Sequence, residues 1–122
     1  MGEKKKILSV AKTDFLRRTR QIALRRAGYA VASVKDFNEI EALSRENVFD
    51  VAVVGHAFDP QAKRVIAEII RRYFPDVPIV ELTTSHAEIL DSIPSSPDSG
   101  ELKATIEAVL GNRKSKKAAG SN

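Results

Sequence analysis

Hydrophobic residues along this chain fall into short continuous runs separated by longer stretches of helical period. The first run, 7–10, is followed by Ala-Lys-Thr-Asp, a turn in which Thr13 or Asp14 can accept hydrogen bonds from the free amides of a helix start. From about 14 to 27, Phe15, Leu16, Ile22, Ala23 and Ala27 share one helical face, and Gly28 supplies the left-handed residue that ends a helix. A second strand is expected over 29–34. A second helix follows over 36–45, with Asp36 or Asn38 as its cap and Ile40, Ala42 and Leu43 turned inward.

The run 51–54 reads as a buried third strand, and Asp59-Pro60 opens a third helix that continues to Phe74. Proline is tolerated in the first turn because its missing N–H has no partner there in any case. Val65, Ile66, Ile69, Ile70 and Phe74 form the expected inner stripe, with Lys63, Arg64, Arg71 and Arg72 pointing elsewhere. The segment 75–78 carries two prolines and launches a fourth strand over 79–83. A last helix is expected over 98–110, ended by Gly111. Strands alternating with helices at this spacing imply a doubly wound α/β domain whose parallel sheet is covered on both faces. Sites in such sheets lie at the carboxyl ends of the strands. That rule brings Ala11, Lys12, Gly55, His56, Thr83 and Thr84 to one rim.

Four segments carry a resemblance: Ile7-Leu-Ser-Val10, Arg26-Ala-Gly-Tyr-Ala-Val31, Phe49-Asp-Val-Ala-Val-Val54 and Pro75-Asp-Val-Pro-Ile-Val-Glu-Leu-Thr83. In their order and spacing, over residues 5–110, the chain resembles the receiver domains of bacterial response regulators. The resemblance implies a five-stranded parallel sheet in the order 2-1-3-4-5. It also implies two-component signalling through phosphorylation of an aspartate at the end of the third strand. An acidic pair after the first strand would hold Mg²⁺, a Ser/Thr would follow the fourth strand, and a lysine would follow the fifth.

Matched position by position, most of that set is missing. The acidic pair falls on Ala11 and Lys12, and the nucleophile falls on Gly55, or on His56 with a shift of one residue. Thr83 matches the hydroxyl position. The lysine falls near Ser92 if the fifth strand lies over 88–91. The expectation is therefore a divergent pseudo-receiver that is not phosphorylated on aspartate, has no catalytic residues and needs no metal or cofactor. Only Thr84, Ser85 and His86 separate the fourth strand from Ala87-Glu-Ile-Leu90, which leaves the helix between the fourth and fifth strands shortened or missing. The segment 87–90 reads as the fifth strand, with a short helix over 85–92, capped by Ser85, as the competing reading. Residues 93–100 are then a flexible approach to the last helix.

Charge changes this picture little. The chain has 122 residues, a length suited to one domain, and a net charge of +4. Setting aside Lys4, Lys5, Lys6, Arg113, Lys114, Lys116, Lys117 and Glu3 leaves 13 basic and 15 acidic residues over 7–112. The excess positive charge thus belongs to the ends, and 113–122 is expected to be a disordered basic tail beyond a receiver-like domain over 1–112. There is no cysteine and no apolar run of membrane-spanning length, and the short N-terminal apolar run does not read as a signal peptide. These features fit a cytoplasmic location and no membrane partner.

Arg17, Arg20 and Arg25 can share one exposed face of the first helix, which marks a candidate interaction surface. Together with the tail it offers an alternative role as a nucleic-acid-associated regulator. No helix-turn-helix pair or aromatic platform accompanies it, so nucleic acid is the weaker partner class. Lys12 is a candidate cation for the vacated metal position, paired with Asp14 or Asp59. His56 would need His86 to make even a two-histidine metal site. A ligand or enzyme site on the rim of Lys12, His56 and Thr83 is the third reading. The favoured role is protein–protein interaction with an unidentified signalling protein, or as a homodimer.

Overall fold

The computed structural model describes residues 4–120, with side chains described as far as Gly111. Nine elements follow one another: β1 (Lys6–Val10), α1 (Asp14–Arg26), β2 (Ala30–Val34), α2 (Phe37–Ser44), β3 (Val51–Val54), α3 (Pro60–Tyr73), β4 (Ile79–Leu82), β5 (Ile93–Ser95) and α4 (Ser99–Gly120). The strands form one parallel sheet in the order β2-β1-β3-β4-β5. The doubly wound α/β fold expected from the hydrophobic pattern is therefore present.

Alternation along the strands splits the core in two. Leu8, Val10, Ala52, Val54 and Ile79 face α2 and α3, where Ile40, Ile66, Ile70 and Phe74 meet them. Ile7, Val51, Val53, Val80 and Leu82 face α1 and α4, against Leu24, Leu102, Ile106 and Val109. Phe49 and Phe74 close one end edge-to-face, with centroids 5.2 Å apart. The helix starts follow the sequence. Thr13 Oγ accepts from Leu16 N, Asp36 Oδ1 from Asn38 N, and Asp59 Oδ1 from Ala62 N. Gly28 ends α1 with φ +101°.

Several expectations are corrected. Residues 85–92 are neither strand nor helix; β5 is Ile93–Ser95, inside the segment read as a flexible approach. The cause is Glu81, which gathers that loop around a buried carboxylate. On α1, Phe15 is 75% exposed and Ile22 47% exposed, while Arg20 is only 7% exposed. The inner stripe is Leu16, Arg20, Leu24 and Ala27, each three or four positions from the next. Arg20 therefore lies on the buried face, and the supposed exposed trio Arg17, Arg20 and Arg25 is not one surface. Lys63 is likewise buried, while Val65 and Ala42 are exposed. Finally, α4 runs through Gly111, which keeps a helical backbone, instead of ending there.

At the sheet's edge β5 contributes only three residues, paired Val80 with Ile93, Glu81 with Pro94 and Leu82 with Ser95. Thr83 N donates to Ser95 O at 2.9 Å, extending that ladder by one bond.

Candidate functional site at the carboxyl ends of the strands

The rim gathers the residues that the fold rule assigns to it, but their chemistry differs from the expectation. Ala11 is fully buried, and its N–H donates to Val34 O at 3.1 Å. Lys12 is exposed and pairs with neither proposed carboxylate. Asp14 pairs with Arg17, and Asp59 caps α3. Gly55 N donates to Val10 O at 2.8 Å, tying the ends of β1 and β3 together. A Cβ on Gly55 would lie 3.1 Å from Val10 O and 3.2 Å from Arg20 NH1. A side chain here would crowd both neighbours, and glycine avoids it.

The cation beside the vacated position is thus Arg20 from α1, and not Lys12. Its NH1 is buried without a hydrogen-bond partner, and burial lowers its pKa. His56, the next residue after Gly55, is half-buried with an unpartnered buried Nδ1. Burial first, then the positive charges of Arg20 and Lys63, lower its pKa below the ordinary 6.5. This end of the sheet therefore holds positive charge and a histidine biased toward neutrality.

Beside it lies a buried ion pair that the sequence reading passed over. Glu81 on β4 is completely buried, and Lys63 on α3 is 4% exposed. Lys63 Nζ donates to Glu81 Oε2 at 3.1 Å and to Leu82 O at 2.9 Å. The carboxylate also accepts from Glu88 N at 2.8 Å, Ile89 N at 2.9 Å and Ser92 Oγ at 2.9 Å. Burial alone raises the Glu81 pKa. The two backbone amides, the Ser92 hydroxyl and the Lys63 ammonium outweigh it and leave the carboxyl below its ordinary value. Four donors on one carboxylate fold the β4–β5 connection inward without a helix.

Thr83 and Ser92, the two hydroxyls expected on the rim, are both engaged in this loop. Thr83 Oγ donates to His86 O at 2.9 Å and accepts from Ser85 N at 3.2 Å. Ser92 precedes β5, so the position after the fifth strand falls instead on Ser96, followed by Pro97. Neither residue supplies the lysine that the resemblance implies there. His86 is exposed, with Nε2 3.1 Å from Glu88 Oε1. It lines a small polar pocket of about 150 Å³ with His56, Lys63 and Thr83. Among the described residues, no group of three or more His, Cys, Asp or Glu side chains could hold a metal ion.

Arg20, Lys63 and Glu81 were each detectable. Arg20 and Lys63 stand in phase with apolar stripes, four positions before Leu24 and three before Ile66. Glu81 is a carboxylate inside a strand whose other residues are Ile, Val and Leu.

No protein-family model and no curated protein sequence matches this chain. Solved structures do. A response regulator receiver protein from Sinorhizobium medicae is 25% identical, covering 91% of this chain and 98% of its own, with a TM-score of 0.73. A CheY-like response regulator receiver domain protein from Methanospirillum hungatei is 15% identical, covering 93% and 99%, with a TM-score of 0.77. A response regulator protein, TrrA, solved in complex with the histidine kinase ThkA, is 19% identical, covering 87% and 98%, with a TM-score of 0.69. The chain has the receiver fold. None of its described helices is long and apolar enough to cross a membrane.

Proposed function

We propose that this chain is a receiver-like signalling domain that is not phosphorylated on an aspartate and acts by contact with other proteins. The observation carrying this reading is the arginine over Gly55. Phosphoryl transfer to a receiver needs a carboxylate nucleophile and a metal held by acids between the first and third strands. At the ends of β1 and β3 this chain presents Ala11, Lys12, Gly55 and the Arg20 guanidinium. A fixed cation there repels Mg²⁺, and no side chain at Gly55 can attack phosphorus.

The domain then has no catalytic role, binds no Mg²⁺ and works in the cytoplasm through a signalling protein or a second copy of itself. The likeness to a regulator solved with a histidine kinase supports a protein partner of that kind. The alternative, nucleic-acid contact through Arg17, Arg20 and Arg25, loses its central residue to the core. Incubation with acetyl phosphate and Mg²⁺, followed by intact mass measurement, tests the reading. No phosphoryl adduct is expected, and a stoichiometric one would overturn it.

A further inference from the structure

A cleft of about 390 Å³ opens between α1 and the start of α4. Its walls are apolar, from Leu16 and Ala23 on α1 and Pro97 and Leu102 on the other side, and Arg20 and His56 line it as well. Arg26 and Lys103 also border it, and none of its lining residues is acidic. The volume falls within the range of small-molecule sites, about 300–1,000 Å³.

Arg20 is the group that demands an explanation. A guanidinium stays ionised in proteins, and burying it without an anion is strongly unfavourable. Here it is 7% exposed, and its NH1 has no hydrogen-bond partner. The start of α4 supplies no counter-charge to it. Asp98 is already committed to that helix, its Oδ2 accepting from Glu101 N at 3.1 Å. His56 adds a second unpartnered buried nitrogen to the same lining. A purely structural residue at this position of the apolar stripe would be Leu or Met.

We infer that the α1–α4 cleft is a binding site for a small organic anion, an oxyanion carried on an apolar body, with Arg20 as its anchoring charge. The guanidinium takes the carboxylate or phosphate oxygens, with His56 in the same lining, and the Leu16, Ala23 and Leu102 walls hold the apolar part. This goes beyond the proposed signalling role, since it assigns a ligand and a place for it.

Amide chemical-shift titration of the full chain tests the site with benzoate, phenyl phosphate, inorganic phosphate and neutral benzamide. Benzoate or phenyl phosphate is expected to saturate shifts at Leu16, Ala23 and Leu102, and the stronger of the two identifies the oxyanion. Benzamide should bind at least about tenfold more weakly, because a charge-assisted hydrogen bond is lost. Arg20→Met should remove binding while unfolding at a higher urea concentration than the parent. Ala23→Phe, which fills the cleft from its wall, should remove binding with the guanidinium intact. No saturable shift with either aromatic anion would overturn the assignment, as would equal binding of benzamide. So would inorganic phosphate binding as tightly as phenyl phosphate, or full binding retained by a folded Arg20→Met.

Discussion

Replacing Glu81 by Gln removes one charge and reverses one half of a side chain that now faces only donors. Oε1 takes Ile89 N and Ser92 Oγ, and Oε2 takes Glu88 N and Lys63 Nζ. An amide in the same place must turn its NH₂ toward two of these groups; the less costly pair is Ile89 N and Ser92 Oγ, because the hydroxyl can accept from it while donating to Ile89 O. Hydrogen bonds to a charged group contribute about 1.5–3 kcal/mol each, so losing the one from Ile89 N costs about 1.5–3 kcal/mol, and the Lys63 ammonium loses its counter-charge besides. That is a large share of the roughly 5–15 kcal/mol that holds a domain of this kind together. Lys63→Met leaves the fully buried carboxylate without its counter-charge and Leu82 O without its donor, so it should cost about 3–5 kcal/mol. The double variant should fall short of the summed single losses by at least about 1 kcal/mol, as contacting groups do. Urea unfolding of the three variants measures this cycle. Hydrogen exchange should quicken at Glu88 and Ile89 in Glu81→Gln, while Ser85, held by Thr83, is spared. Additive single losses, or a Glu81→Gln cost under about 1 kcal/mol, would refute the reasoning. The sign with pH follows from the lowered carboxyl value. The Glu81 contribution is complete above the ordinary 4.5 and is lost as pH falls through the lower folded value.

Two further outcomes can be checked with the same unfolding assay. Gly55→Ala should destabilise by about 1–3 kcal/mol through crowding of Val10 O and Arg20. Gly55→Asp should be the milder change because its carboxylate meets that guanidinium. It should still take no phosphoryl group from acetyl phosphate. An aspartate variant less stable than the alanine one would contradict the account of the rim. His56, with its folded pKa lowered, contributes stability that is full above 6.5 and is lost as pH falls through the lower folded value. His56→Gln should flatten that fall in melting temperature between neutral and mildly acidic pH, and an unchanged pH profile would count against a buried neutral imidazole.

The alternation of apolar runs and helical stretches was enough to read the doubly wound α/β class and the helix caps, because both follow from local spacing; the strand order came only with the resemblance to receivers. It placed β1, β3 and α3 within a residue or so of where they lie. What failed was the assumption that charged residues mark the outside of a helix. Arg20 and Lys63 stand in phase with their helices' buried stripes, and phase decides where a side chain goes before its polarity does. The β4–β5 connection was misread for a related reason. Ala87-Glu-Ile-Leu90 has a strand's alternation, but the loop is shaped by a carboxylate six or more residues upstream, in another element. The period of 87–90 by itself carries no trace of that carboxylate. The rim's losses were legible at Ala11, Lys12 and Gly55, and the cation that replaced them came from α1, three elements before β3.

The position of Pro94 bears on how copies of this domain can meet. Ser95 turns its carbonyl toward β4, so Pro94, one residue before it, faces the open side of β5. The missing N–H therefore falls where an incoming strand would look for a donor, at the middle of a three-residue edge. Growth of the sheet across this border has no central rung. A pair of copies joined through their backbones would have to use β2, at the opposite border, and any other pairing must be made by side chains on the helices.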